Sequence, residues 1–163
     1  AQARWGFQFC FEAIRAQPGN SDADPLRQFL ELMSSEPTLE LVRFITGSDQ
    51  IDFADAQATA YGPGHFLTAH NDSNPGQRRI AAYVLNLTPT WRLAWGGMLQ
   101  FHGEDGNIES GWAPGFNVLN LFSVPQPHSV SFVTPFAAYK RYSVTGWFRS
   151  RPSPEEPAAE AAS

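Results

Sequence analysis

Cys10 is the single cysteine among the 163 residues of this chain, so no internal disulfide is available to it. Such usage fits a reducing compartment, and the cytoplasm is the expected location. Long hydrophobic runs are missing too. None approaches the roughly 18 residues of a transmembrane helix, and no stretch has the form of a secretory signal, so no membrane partner is expected. Positive charge is scarce: 11 Lys and Arg stand against 16 Asp and Glu, for a net charge of −5. Arg78-Arg79 and Lys140-Arg141 are isolated pairs rather than a basic stripe, which argues against nucleic acid as a partner. Internal repeats are absent from the sequence.

What the chain does have is apolar and aromatic material, at 42% and 13% of residues, enough for a packed core in one domain over 1–149. The chain opens directly in an apolar segment, which suggests that a further N-terminal portion precedes it. Arg4 to Ile14 alternates Trp5, Phe7, Phe9 and Phe11 with other residues and reads as a strand. A polar loop is expected over Gln17 to Asp24. Asp24-Pro25 then has the form of an N-cap followed by proline at the first helical position. Leu26, Phe29, Leu30 and Met33 fall on one face of a first helix. Ser35-Glu36-Pro37 restarts the pattern, with Leu41, Phe44 and Ile45 as the expected stripe of a second helix ended by Gly47, the pair spanning about 25–46.

Beyond Ile51 short β-rich runs follow one another, separated by glycine, proline and asparagine: 51–60, 65–71, 79–88, 97–102, 116–122, 128–133 and 140–149. This texture predicts a sandwich or barrel over about 51–149, with the two helices covering one outer sheet face. The tail 150–163 has almost nothing to bury and is expected to be disordered.

The run Tyr61-Gly-Pro-Gly-His-Phe-Leu-Thr-Ala-His70-Asn-Asp72 carries the chemistry. On a strand, residues two apart share a face, so His70 and Asp72 are expected to point the same way. His128 lies at the start of a later strand. Two imidazoles and a carboxylate are the ligand set of non-haem Fe(II) oxygenases, which leaves coordination positions open. His65, beside Gly62-Pro-Gly64, reads as a turn or surface residue, and His102 as a residue at a loop edge. Zinc in a structural site takes closed four-ligand sets with cysteine, and Cys10 lies far away in sequence. A 2-oxo acid such as 2-oxoglutarate would fill two of the free positions on iron and leave one for O2. Its far carboxylate then needs a buried cation, and arginine offers a bidentate fork. Arg141 and Ser143 share a strand face that Thr145 and Trp147 continue, which makes Arg141 the better inward candidate than Lys140.

The ordered set His70-x-Asp72, His128 and Arg141-x-Ser143 resembles the Fe(II)/2-oxoglutarate-dependent dioxygenases. The likeness is closest to the prolyl-hydroxylase branch, which includes the hypoxia-factor and ribosomal-protein enzymes. Gly96-Gly97-Met-Leu-Gln-Phe101 and the helix ending Phe44-Ile-Thr-Gly47 are similar to segments of that branch as well. The resemblance implies a mainly β (α+β) double-stranded β-helix, or jelly-roll, with two supporting N-terminal helices. By the same resemblance His70, Asp72 and His128 hold Fe(II), while Arg141, with Tyr61 and Ser143, receives the far carboxylate of 2-oxoglutarate. Arg79 and Trp147 match positions that contact a peptide substrate. The implied cosubstrates are 2-oxoglutarate and O2, with ascorbate as an optional addition, and the implied substrate is a prolyl residue of a peptide or protein. A small metabolite or free amino acid as substrate, and a cupin-like binding module without redox chemistry, stand as alternatives. The segment Ser73-Asn-Pro-Gly-Gln-Arg78 is short, and no long lid is evident in the chain.

Overall fold

The structure is a computed structural model that describes residues 6–14 and 24–151. The start of the first expected strand, most of the polar loop before Asp24, and the tail beyond Arg151 lie outside the described residues.

Helix α1 covers Pro25–Met33 and α2 covers Glu36–Thr46. The Asp24 carboxylate accepts from the Leu26 N–H at 3.0 Å, so the cap written in the sequence forms. Gly47 ends α2 in the left-handed conformation, with φ 70°. The stripe expected for α1 is the one that packs, with Leu30 and Met33 buried. The stripe expected for α2 is wrong. Leu39 and Val42 are buried, whereas Leu41, Phe44 and Ile45 are exposed, Phe44 by 86%. Apolar residues occupy more than one face of α2, so periodicity alone does not choose among them. The register of α2 against the sheet makes the choice.

The strands are β1 Phe7–Gln8, β2 Cys10–Ile14, β3 Phe53–Ala54, β4 Ala56–Tyr61, β5 Phe66–His70, β6 Arg79–Asn86, β7 Leu99–His102, β8 Ile108–Trp112, β9 Val118–Ser123, β10 His128–Val130 and β11 Arg141–Arg149. They form two antiparallel sheets. One runs β1-β5-β10-β7-β8; the other runs β2-β4-β11-β6-β9, with β3 also paired to β11. From β4 to β7, and again from β8 to β11, successive strands cross from one sheet to the other. This alternation is the winding of a double-stranded β-helix, so the jelly-roll fold expected of the chain is the fold it has.

Two expectations need correcting here. The first strand is not one strand: β1 pairs with β5 in one sheet and β2 with β4 in the other, and Phe9 marks the crossing. Strand β8, absent from the expected series, closes an edge beside β7. All five of its residues are exposed, so no alternation of buried and open positions announces it.

The helices lie on the six-stranded sheet, as expected. Met33, Leu39 and Val42 pack with Ile51, Ala54, Ala81, Tyr83 and Phe148, while Leu30 packs with Ala56 and Val144. That burial holds β6 and β11 flat against the helices, so the opposite faces of the same strands look into the sandwich. Gly146 on β11 has no room for a side chain. A Cβ there would stand 2.0 Å from the Asp55 carbonyl and 2.6 Å from the Tyr83 hydroxyl. Among the described residues no helix is long and apolar enough to cross a membrane.

Candidate functional site

Strand β10 pairs with β5 so that His128 stands opposite His70, and their ring centroids are 4.2 Å apart. Asp72 joins them by a route other than strand alternation. β5 stops at His70, and Asp72 sits in the left-handed region with φ 60°. The backbone turns out of the sheet and brings the carboxylate back over the two rings. Asp72 Oδ1 lies 3.4 Å from His70 Nε2, and Oδ2 lies 3.6 Å from His128 Nε2. The three ligand atoms fall within 4.8 Å of one another.

Each imidazole is set by a backbone carbonyl. His70 Nδ1 is 2.9 Å from the Thr68 oxygen and His128 Nδ1 is 2.7 Å from the Gln126 oxygen. A carbonyl only accepts, so both Nδ1 atoms carry hydrogen and, in the neutral rings, both Nε2 lone pairs face Asp72. The carboxylate is held from behind. Trp147 Nε1–H donates to Oδ2 at 2.8 Å, and Arg79 Nη1 donates to the Asp72 carbonyl at 3.2 Å. The Arg79 guanidinium also stacks on the Trp147 ring at 3.6 Å. Asp55, between β3 and β4, accepts from the Trp147 backbone N–H at 2.9 Å and so fixes the tryptophan in turn.

The electrostatics follow from this packing. Burial pushes the Asp72 carboxyl up, but the bonds from His70 and Trp147 and the charge of the imidazoles outweigh it, leaving the group below its ordinary value. Burial likewise draws His70 down, and Asp72 and the Thr68 carbonyl overcome it, so His70 ends above its ordinary 6.5. For His128 burial wins and the value falls. The side chain of His70 is 32% exposed and that of Asp72 only 8%, which places His70 at the open side of the cluster.

The same cavity is lined by Arg141, Tyr61, Thr59, Gln57 and Thr145. Antiparallel pairing sets Arg141 opposite Tyr61, Ser143 opposite Thr59 and Thr145 opposite Gln57. Arg141 is only 2% exposed. Its Nε has no partner among the described residues, and its Nη2 donates to Asn86 Oδ1 at 3.3 Å. Burial, the larger influence, pulls the guanidinium below its ordinary value while Tyr61 opposes the fall; it remains a cation at neutral pH. Burial pushes the Tyr61 phenol well up, with Arg141 pulling the other way, so Tyr61 is a neutral hydroxyl at neutral pH. Ser143 is buried, and its hydroxyl lies 2.8 Å from that of Thr59. His65 follows the Gly62–Gly64 turn and is half-buried. His102 ends β7, with Nε2 2.8 Å from the Ser129 hydroxyl.

Residues 56–149 match the sequence profile of the 2OG-Fe(II) oxygenase superfamily. The chain belongs to that superfamily. No curated protein matches it in sequence. Among solved structures, a prolyl-4-hydroxylase from Pseudomonas putida is similar at 27% identity and a TM-score of 0.70, over 90% of this chain and 74% of that one. A viral collagen prolyl hydroxylase from Paramecium Bursaria Chlorella virus-1, in complex with 2OG, shares the fold at 14% identity and a TM-score of 0.60, over 90% and 81%. A Trichoplax adhaerens prolyl hydroxylase bound to a hypoxia inducible factor peptide shares it at 20% identity and a TM-score of 0.54, over 72% and 60%.

Membership implies Fe(II) and 2-oxoglutarate, and the donor set can be tested against both. Metal–nitrogen bonds of about 2.0–2.1 Å place neighbouring ligand atoms about 3 Å apart. Asp72 lies 3.4 and 3.6 Å from the two Nε2 atoms and all three ligand atoms fall within 4.8 Å of one another, a cluster that small shifts would close around one ion. Two neutral imidazoles and one carboxylate, with one open side, suit a divalent iron that must accept further ligands. For the cosubstrate, a buried guanidinium with an unpartnered Nε beside a neutral tyrosyl hydroxyl suits a carboxylate. Both groups fit. Arg79 and Trp147, expected at the substrate, are tied to the carboxylate of Asp72, whatever else they touch. Sequence reasoning missed Asp55, Asn86 and the two carbonyls that set the imidazoles.

Proposed function

We propose that this superfamily member is an Fe(II)- and 2-oxoglutarate-dependent dioxygenase that hydroxylates a prolyl residue of a peptide or protein. The observation that carries the reading is one cavity holding His70, Asp72 and His128 together with the buried cation Arg141. Similarity to the Pseudomonas putida prolyl-4-hydroxylase supports the choice of proline. Bound Fe(II) and 2-oxoglutarate supply the oxidative chemistry: 2-oxoglutarate and O2 are consumed, succinate and CO2 leave, and a substrate C–H becomes C–OH.

In this assignment the chain positions and excludes. His70, Asp72 and His128 are the metal ligands, and the Thr68 and Gln126 carbonyls keep both Nε2 lone pairs available. Trp147 and Arg79 stop the Asp72 carboxylate from rotating away. Arg141 receives the 5-carboxylate of 2-oxoglutarate through its fork, with the Tyr61 hydroxyl as a second donor. Ser143 backs this end through Thr59. Leu67, Leu99, Phe122 and Val130 line the cavity and limit water around the reacting groups. In this reading Arg79 and Trp147, which hold Asp72, also contact the peptide. The lone Cys10 accords with action in the cytoplasm.

The test is turnover of 2-oxoglutarate to succinate by the Fe(II)-loaded protein, followed by mass spectrometry of proline-containing peptides for one added oxygen atom. Succinate without any modified peptide would move the substrate to a small metabolite or free amino acid. Absence of 2-oxoglutarate binding with metal present would leave a cupin-like binding module.

A further inference from the structure

Resting on the proposed 2-oxoglutarate reading, the geometry around Arg141 points to a role for Asn86 that the superfamily assignment does not supply. Asn86 ends β6, is 1% exposed, and stands opposite Ser143 on β11 and Val118 on β9. Its Nδ2 donates to the Val118 carbonyl at 3.2 Å. A carbonyl cannot donate, so this bond fixes which way the amide lies and turns Oδ1 toward Arg141. Among the described residues, Oδ1 is the only hydrogen-bond acceptor on the guanidinium, and no carboxylate pairs with it.

A neutral acceptor here has a different effect from a charged one. It orients the guanidinium but leaves its charge uncompensated. A carboxylate at the same place would form a buried ion pair within the empty protein, and an incoming dianion would have to break it. We propose that Asn86 is a positioning residue that holds Arg141 by a dipole alone, so that the cavity selects 2-oxo acids bearing a second carboxylate. Val118 contributes through its carbonyl, which makes the edge strand β9 part of that selection.

The experiment compares 2-oxoglutarate with 2-oxovalerate, which has the same carbon chain and lacks the far carboxylate. Both are titrated by calorimetry into the Mn(II)-loaded protein. The wild type is expected to prefer 2-oxoglutarate strongly. Asn86→Asp should cut that preference by about tenfold to 100-fold, the scale of one charge-assisted contact. Its affinity for 2-oxovalerate and for Mn(II) should stay close to wild type. Asn86→Leu, neutral and of similar size, should cut the preference by less, and it decides the matter if the aspartate variant does not fold. An unchanged preference in the folded variants, or affinities for both acids falling together, overturns the proposal and leaves Asn86 a tie between β6 and β9. A wild type that binds neither acid, or binds both alike, instead overturns the 2-oxoglutarate reading and this inference with it.

Discussion

The two ends of the cavity are built on opposite rules. At the metal end, among the described residues, both imidazoles and the Asp72 carboxylate already have partners, and Arg79 Nε alone is left without one. Asp72 receives Trp147 and Arg79, each imidazole donates to a carbonyl, and Asp55 steadies Trp147. At the far end Arg141 is buried with one amide oxygen and an idle Nε. The first arrangement fixes positions before anything binds. The second leaves a buried cation short of partners, a state that costs free energy until an anion arrives. A rigid end and a needy end in one cavity give the proposed site direction: in that reading the cosubstrate enters with its far carboxylate toward Arg141.

That contrast can be broken from either side. The largest effect is expected for Asp72→Ala, which should reduce Mn(II) affinity by more than about 100-fold, since it removes a ligand and not merely its support. Calorimetry reads this directly. Arg141→Met should act on the other end alone. In the absence of ligand the variant should be more stable than wild type by about 1–4 kcal/mol, because an apolar side chain replaces a poorly paired buried charge. It should also lose the thermal stabilisation that 2-oxoglutarate gives the wild type. A fall in metal affinity in Arg141→Met would show that the two ends are not separate.

Trp147→Phe keeps the ring under Arg79 and deletes only the N–H on Asp72. It should weaken Mn(II) binding by about 10- to 100-fold, as loss of an outer partner does. The smallest effect is the pH response. Metal competes with the proton on Nε2, so binding must release it. His70 is held above 6.5 and His128 below, so His70 is the first of the two to take up a proton as pH is lowered from neutral, and metal binding must then displace that proton. Mn(II) affinity should be full above the raised His70 value and fall by about tenfold per pH unit beneath it. A pH-independent affinity between 6 and 8 would contradict this ordering.

Much of this was legible in the residues themselves. Asp24-Pro25 and Gly47 announce the helix ends because capping is local chemistry. His70, Asp72, His128 and Arg141 announce the site because few other roles need those side chains in that order. The failures have physical causes as well. β8 is exposed at every position, and α2 carries apolar residues on more than one face, so neither shows the contrast on which periodicity depends. The turn that delivers Asp72 is a backbone event at φ 60°, invisible to a reading that assumes a continuous strand. The Thr68 and Gln126 contributions come from main-chain oxygens, which every residue possesses. Asn86 looks like any asparagine at the end of a strand until its amide is seen between Val118 and Arg141.

The crossing at Phe9 has a consequence for how the molecule comes apart. A sandwich has two modes of failure, the peeling of an edge strand and the parting of one sheet from the other. Here a single short segment is hydrogen-bonded into both sheets, and Phe9 stacks on Tyr61 at 4.7 Å between them. Neither sheet can loosen along that border without straining the other. The two modes merge into one event, and amide protons on β4 and β5 should exchange together, at the pace of the whole domain rather than of a fraying edge.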